Sequence, residues 1–285
     1  MKTIILISFL FTLQLFFAQD LPAYQIYNSK GKPVSFDKMA AATKNIDLVL
    51  FGEFHDNPIA HWLQLELTQR MHNVYQGNLQ LGFEMFEQDQ QVLLDAYLAG
   101  KLTDEQFKDT LRLWPNYTTD YAPLVNYAKE NKLEFIATNI PRRYARLVNK
   151  GGFEALDTLP AIEKSYVAPL PIAFDAELPT YKSILEMMGE HGTPSLVKAQ
   201  ASKDATMAHF ILKNYKTGKL FIHYNGAFHS DYYEGIGWYL KRQSPTLNYS
   251  TISTVTQADI TKLNAEHIGK ADFILVIDED VTTTY

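Results

Sequence analysis

Five short apolar runs in this chain each break off at polar residues able to do chemistry, and two of the breaks repeat one another. Asp47-Leu48-Val49-Leu50-Phe51 leads into Gly52-Glu53-Phe54-His55, and Leu220-Phe221-Ile222-His223-Tyr224-Asn225 leads into Gly226-Ala227-Phe228-His229. Leu79 to Phe83 ends at Glu84, Leu133 to Thr138 ends at Asn139 with Arg142 and Arg143 close behind, and Asp272 to Ile277 ends at Asp278. Such runs predict parallel strands of one sheet. Parallel strands share a single carboxyl edge, where α/β proteins place their ligand sites, so all five polar endings are expected at one site.

The rest of the chain supports a folded protein around that sheet. Its 285 residues are 46% hydrophobic and 20% charged, and no linker-like stretch divides them, so one domain over residues 19–285 with a sizeable core is expected. A net charge of −6 with no dense Lys/Arg patch argues against a nucleic-acid partner. The absence of cysteine excludes disulfides, thiolate metal ligands, a Cys nucleophile and a lipidated cysteine. Residues 1–18 have another logic. Lys2 precedes the apolar stretch Ile4 to Phe17, and Ala18-Gln19-Asp20 offers a small residue followed by polar ones. This reads as a cleavable export signal, the apolar stretch being shorter than the ~20 residues of a spanning helix. An exported protein is expected, periplasmic or secreted, and not a lipoprotein.

Between the runs, residues 24–27 and 33–36 flank a Gly-containing turn and predict a hairpin at the sheet edge, followed by a short helix capped by Asp37. Asp56-Asn57-Pro58 opens a helix to about Tyr75, with Ile59, Trp62, Leu63, Leu67, Met71 and Val74 on its buried stripe and His61 off it, toward solvent or the site. Helices are expected within 88–113 and 121–131. From about 141 to 215 there is no convincing strand, and so long a helical insertion is expected to lie over the carboxyl edge. Its last helix, about 195–215, places Gln200, Asp204, Met207 and Ile211 on one face, either dipping a polar end into a cavity or grazing water. The fold class expected is α/β: a mostly parallel central sheet flanked by helices, with this insertion and an N-terminal hairpin.

Glycine at a strand end allows backbone conformations that aim the following side chains across the edge. Glu53 and His55, two apart in an extended segment, point the same way, and Glu84 and His229 join them from neighbouring strands. Two imidazoles and two carboxylates suit a divalent transition metal such as Zn, Mn or Fe, or acid–base work without metal. A strand-end histidine also serves as an ordinary hydrogen-bonded structural residue, and Arg142 or Arg143 either grips an anionic group or pairs internally with Glu53 or Glu84. No His-Glu-x-x-His, Gly-x-Ser-x-Gly, P-loop or Gly-x-Gly-x-x-Gly string occurs, so zincin, serine hydrolase, P-loop and Rossmann readings lose their main support.

Gly52-Glu53-x-His55 with His61-x-x-Gln64, Glu84-Met85-Phe86-Glu87 with Gln90-Gln91, Asn139-Ile140-Pro141-Arg142, Ala199-Gln200 with Asp204 and Met207-Ala208, and Gly226-x-x-His229 resemble, in this order, the ChaN family of haem-binding uptake proteins. The resemblance spans roughly Ile46 to Tyr239 and extends to the wider Tiki, TraB and erythromycin-esterase superfamily, whose shared pattern falls here on His55, His229, Glu84 and Arg142 or Arg143. It implies an iron-regulated haem-binding protein with haem between the sheet edge and the insertion, a second copy of the chain completing the cleft, and an envelope transport receptor as a further partner. Iron-ligand candidates in order are His229, His55, Tyr232 and Tyr233, tyrosinate being an established haem ligand. Tyr117, Tyr121 and Tyr144 stand behind them. Arg142 and Arg143 would take the propionates, with Gln200, Asp204 and Met207 alongside. Because some relatives are metal-dependent hydrolases, the alternative is a hydrolase using Glu53, His55, Glu84 and His229 to bind metal or activate water.

Overall fold

A computed structural model of the chain describes residues 21–285, so the expected signal segment 1–18 lies outside the described residues. Eight strands form one sheet: β1 (Tyr24–Asn28), β2 (Pro33–Val34), β3 (Leu48–Glu53), β4 (Leu79–Glu87), β5 (Glu134–Asn139), β6 (Leu220–Gly226), β7 (Tyr249–Gln257) and β8 (Phe273–Asp278), in the spatial order β2-β1-β8-β7-β3-β6-β4-β5. All pairings from β8 to β5 are parallel, and β1 runs antiparallel to both β2 and β8. The expected hairpin therefore forms one edge. The chain lays β4 and β5 on one side of β3, returns to insert β6 between β3 and β4, and then crosses to β7 and β8 on the other side. The winding reverses at β3, and a crevice opens outside the carboxyl ends of the strands at such a reversal.

Strand β7 has no counterpart among the five apolar runs. Its sequence alternates Ser and Thr with only Ile252 and Val255 as aliphatic residues, yet it is interior to the sheet and mostly buried. The hydroxyls are satisfied internally: Thr254 Oγ1 donates to the Gly52 carbonyl at 2.7 Å, Ser253 to Asp231 at 2.5 Å and Ser250 to Asp272 at 3.0 Å. Its β-branched content was the readable signal, and its polarity hid it.

Among the described residues ten α-helices accompany the strands: α1 (Phe36–Ala42), α2 (Pro58–Val74), α3 (Gln91–Leu98), α4 (Asp104–Thr110), α5 (Ala122–Glu130), α6 (Arg142–Gly151), α7 (Ala161–Lys164), α8 (Pro179–Met188), α9 (Pro194–Asn214) and α10 (Ile236–Gln243). Alternation along β3 separates two cores. Val49 and Phe51 face Leu63, Leu67 and Met71 of α2 and Leu124 and Val125 of α5, whereas Leu48 and Leu50 face Tyr144 and Val148 of α6, Met207 and Ile211 of α9, and Leu240 of α10. No helix among the described residues is long and apolar enough to cross a membrane.

Two local expectations need correction. Helix α1 is capped by Ser35, whose Oγ accepts from Lys38 N–H at 3.2 Å, and Asp37 sits inside its first turn. Helix α2 is opened as expected by Asn57, which accepts from the amides of Ile59 and Ala60, with Pro58 first in the helix. Its buried face, however, is Ala60, His61, Leu63, Gln64, Leu67, Thr68 and Met71, while Trp62 and Val74 are exposed. The face is turned because the amino-terminal half of α2 serves a polar site, through His61 and Gln64, as well as the core. Trp62 packs edge-on against Tyr24 of the hairpin at 6.0 Å instead.

Candidate functional site

The polar ends of β3, β4 and β6 meet at the carboxyl edge, and the two Gly-x-x-His turns interlock there. A Cβ at Gly52 would lie 2.9 Å from the Ala227 Cα in the second turn, and one at Gly226 would lie 2.8 Å from His55 Nε2 in the first. Each turn thus occupies space that the other turn's glycine leaves open. This differs from the conformational reason expected from sequence, because Gly226 has an ordinary φ of −57°.

In the first turn, Glu53 is buried and fully engaged. Its Oε1 accepts from His55 Nδ1 and from the Tyr121 hydroxyl, both at 2.9 Å, and its Oε2 accepts from Gln64 Nε2 with His61 Nδ1 at 3.5 Å. Burial pushes the Glu53 carboxyl up, but His61, His55 and Gln64 outweigh it and hold it below its ordinary value. The polar corner of α2 therefore serves β3. A π-helical turn, Tyr117–Tyr121, delivers Tyr121. The His55 backbone carbonyl is held by Asn116 Nδ2 at 2.6 Å and His61 Nε2 at 3.1 Å, and the His55 ring packs edge-on against Trp114 at 4.5 Å. Among the described residues His55 Nε2 has no hydrogen-bond partner, and the side chain is 36% exposed.

The second turn is closed. His229 donates from Nδ1 to Asp204 Oδ1 at 2.5 Å and from Nε2 to Glu84 Oε1 at 3.1 Å, and its side chain is only 5% exposed. Burial disfavours its charge, yet Glu84 and Asp204 hold its pKa up to about 9, so the imidazolium form prevails at neutral pH. Burial likewise opposes ionisation of Glu84, but His229 and His55 carry it well below its ordinary value. Its other oxygen accepts from Gly226 N–H at 2.8 Å. The Gln200 amide packs against the His229 ring, 3.1 and 3.2 Å from its nitrogens. The polar end of α9 thus enters the site, resolving the two possibilities its sequence allowed.

A cleft of about 570 Å³ opens beside His55 and Glu84, walled by Met85, Trp114, Ile140, Leu196 and Ala199 and bordered by Arg142, Arg146 and Lys203. A second cavity of about 470 Å³ adjoins it through His55, Glu84, Lys203 and Tyr285 and reaches Glu53, Gln200 and His229. Of the two candidate arginines only Arg142 lines the cleft. Arg143 pairs with Asp89 at 2.5 Å and donates to the Tyr144 hydroxyl, which accounts for both residues as internal structure.

Other candidates lie elsewhere. Met207 is fully buried in the core. Tyr232 and Tyr233 line neither cavity; their hydroxyls donate to the Glu266 carbonyl and the Asp272 carboxylate. Tyr117 is buried with no partner for its hydroxyl among the described residues. Nor does any group of three or more His, Asp or Glu side chains among the described residues converge as a metal-ion site, Glu53, His55, Glu84 and His229 instead forming imidazole–carboxylate couples.

Sequence reasoning did not single out Trp114, Asn116, Arg146, Lys203 or Tyr285. Arg146 was findable, one helical turn beyond Arg142, and so was Lys203, three residues beyond Gln200. Trp114, Asn116 and Tyr285 carried no local signal.

Residues 39–240 match the model of a family described as haem-binding uptake, Tiki superfamily, ChaN. The chain is similar in fold to a solved structure of ChaN of Campylobacter jejuni with cofacially bound haem, at 17% identity and a TM-score of 0.67, over 89% of this chain and 96% of that one. An erythromycin esterase in its open conformation aligns at 11% identity and a TM-score of 0.46, over 89% and 82% of the two chains. The chloroplastic protein RETICULATA-RELATED 5 of Arabidopsis thaliana is 25% identical over 232 residues, covering 73% of this chain and 31% of its own length. The chain thus spans under a third of that plant relative.

Proposed function

The chain belongs to the ChaN family of haem-binding uptake proteins in the Tiki superfamily, and on that premise we propose that it is an exported haem-binding protein of iron or haem uptake, holding the porphyrin in the cleft at the carboxyl edge. The observation that carries this reading is His55. Its Nδ1 is committed to Glu53, which orients the ring and turns Nε2 away from that partner, the arrangement by which proteins prepare a histidine to ligate a metal. Burial lowers the His55 pKa, but Glu53 and Glu84 outweigh it and raise it, so a metal would take Nε2 by displacing its proton. His229 lacks this freedom because both its nitrogens are taken. The order of candidate ligands therefore becomes His55 first, with His229, Tyr232 and Tyr233 behind it.

The surrounding residues fit the rest of a haem. Apolar Met85, Trp114, Ile140, Leu196 and Ala199 suit a flat hydrophobic macrocycle, and Arg142, Arg146 and Lys203, free of ion pairs among the described residues, suit its propionates. When bound, haem supplies an iron centre and a visible spectrum, while the protein supplies the imidazole, its orientation through Glu53, and the charges around the rim. A large flat ligand in so open a cleft leaves a face that a second copy of the chain or an envelope receptor would cover. Titrating the mature protein from Gln19 onward with ferric haem tests the reading. A saturable Soret shift that His55→Ala alters supports it, and the absence of a saturable shift rejects it.

A second reading is hydrolysis, favoured by the two buried carboxylate–imidazole couples at one edge. Metal analysis of purified protein and a hydrolase screen comparing wild type with Glu84→Gln test it. Turnover that the substitution leaves unchanged would exclude these residues.

A further inference from the structure

Asp204 is completely buried in α9 and uses only Oδ1 to hold His229. A buried carboxylate oxygen left without a donor is costly, and among the described residues no lysine or arginine pairs with Asp204. The need is met from the helical insertion: Tyr181, near the start of α8, donates its hydroxyl to Asp204 Oδ2 at 2.8 Å. Tyr181 belongs to neither Gly-x-x-His turn, lines neither cavity and is 1% exposed.

We infer that Tyr181 is a positioning residue of the carboxyl-edge site, its hydroxyl fixing the Asp204 carboxylate so that His229 stays turned onto Glu84 and His55 remains the open imidazole of the cleft. The inference rests on the reading of this cleft as the ligand site. Packing alone does not account for the hydroxyl. The Tyr181 ring stacks on Phe174 at 5.8 Å and lies among Val197 and Ala201, surroundings that phenylalanine would satisfy equally. Burial and the neighbouring Asp204 raise the Tyr181 pKa far above its ordinary value, so the phenol keeps its proton and serves as a donor.

A second contact ties the same helix to the same turn. Thr180 N–H donates to Glu234 Oε2 at 2.7 Å, in the loop that follows His229. The start of α8 therefore grips both the helix carrying Asp204 and the segment carrying His229, which couples the placement of the insertion to the set of the imidazole.

The test uses proton NMR of the ligand-free protein, so its outcome does not depend on whether haem is the ligand. The Nδ1 proton of His229, bonded to the Asp204 carboxylate, is expected to give a downfield resonance, identified by its loss in Asp204→Asn. In Tyr181→Phe with an unchanged far-UV circular dichroism spectrum, that resonance is expected to shift upfield or broaden away. Site-specific incorporation of 3-fluorotyrosine at Tyr181, a stronger donor of nearly the same shape, is expected to move it without unfolding the protein. Should Tyr181→Phe fail to fold, the fluorotyrosine protein decides alone. A resonance unmoved by the change of donor overturns the inference.

Discussion

The two Gly-x-x-His turns share spacing, strand-end position and a phenylalanine before the histidine, yet the structure puts their imidazoles to opposite uses. His55 gives one nitrogen to a carboxylate and keeps the other open beside a cleft, whereas His229 gives both away and is sealed. The difference comes from what faces each turn. Above His229 stands a buried aspartate from α9, while His55 lies between Gly226 and the edge of Trp114 with the cleft beside it and no comparable carboxylate bonded to its Nε2. A motif repeated in sequence thus divides into one part that holds the site together and one part that is available to a ligand.

The sharpest way to break this comparison is to remove Glu84. Glu84→Ala leaves His229 charged and buried with one partner instead of two, at an expected cost of about 3–5 kcal/mol in chemical denaturation. A loss below about 1 kcal/mol would show that the second turn is not the structural one.

The pH dependence of stability tests the other partner of His229, Asp204. The folded-state pKa of His229 is raised from 6.5 to about 9, so its stabilising contribution is complete below pH 6.5 and is lost as pH rises through about 9. That contribution is about 3 kcal/mol. Stability should fall across this window in wild type and much less in Asp204→Asn, and equal slopes in the two proteins would refute the assignment.

The glycines give a smaller and asymmetric pair. Gly52→Ala sets a methyl 2.9 Å from the Ala227 Cα and 3.2 Å from the Ile252 carbonyl, backbone atoms that cannot yield cheaply, and should cost about 1–3 kcal/mol. Gly226→Ala meets the His55 ring, which can turn outward. It should cost less than about 1 kcal/mol while weakening haem binding. Thermal melts beside haem titrations separate the two, and equal destabilisation would show that both turns are equally rigid.

Least consequential for stability is His55→Ala, expected to cost about 1 kcal/mol or less because the partly exposed imidazole is only one of the groups satisfying Glu53. Its effect should appear instead in the Soret spectrum. A variant that loses its fold while His229→Ala keeps it would reverse the comparison.

The convergence of Glu53, His55, Glu84 and His229 was legible because parallel strands carry their endings to one edge whatever the details of packing. The helical insertion and the shared face of Gln200 and Asp204 on α9 were legible for a similar reason, a helical period being local, whereas only the structure decided that this polar end enters the site. What stayed hidden depended on partners distant in sequence. Strand β7 could not be read as interior because its hydroxyls find acceptors at Gly52, Asp231 and Asp272. The turned face of α2 follows from Glu53 needing Gln64 and His61. Arg143 was left out of the cleft by Asp89, 54 residues earlier in the chain.

By itself, then, the sequence determined the type of sheet, its edge and the residues collected there, because strand endings and glycine spacings are properties of consecutive residues. Only the tertiary structure decided which histidine is open and which is sealed. That choice lies in Asp204 and Tyr181, 25 and 48 residues before His229, and a hydrogen bond across such a separation exists only after the sheet and the insertion have packed together.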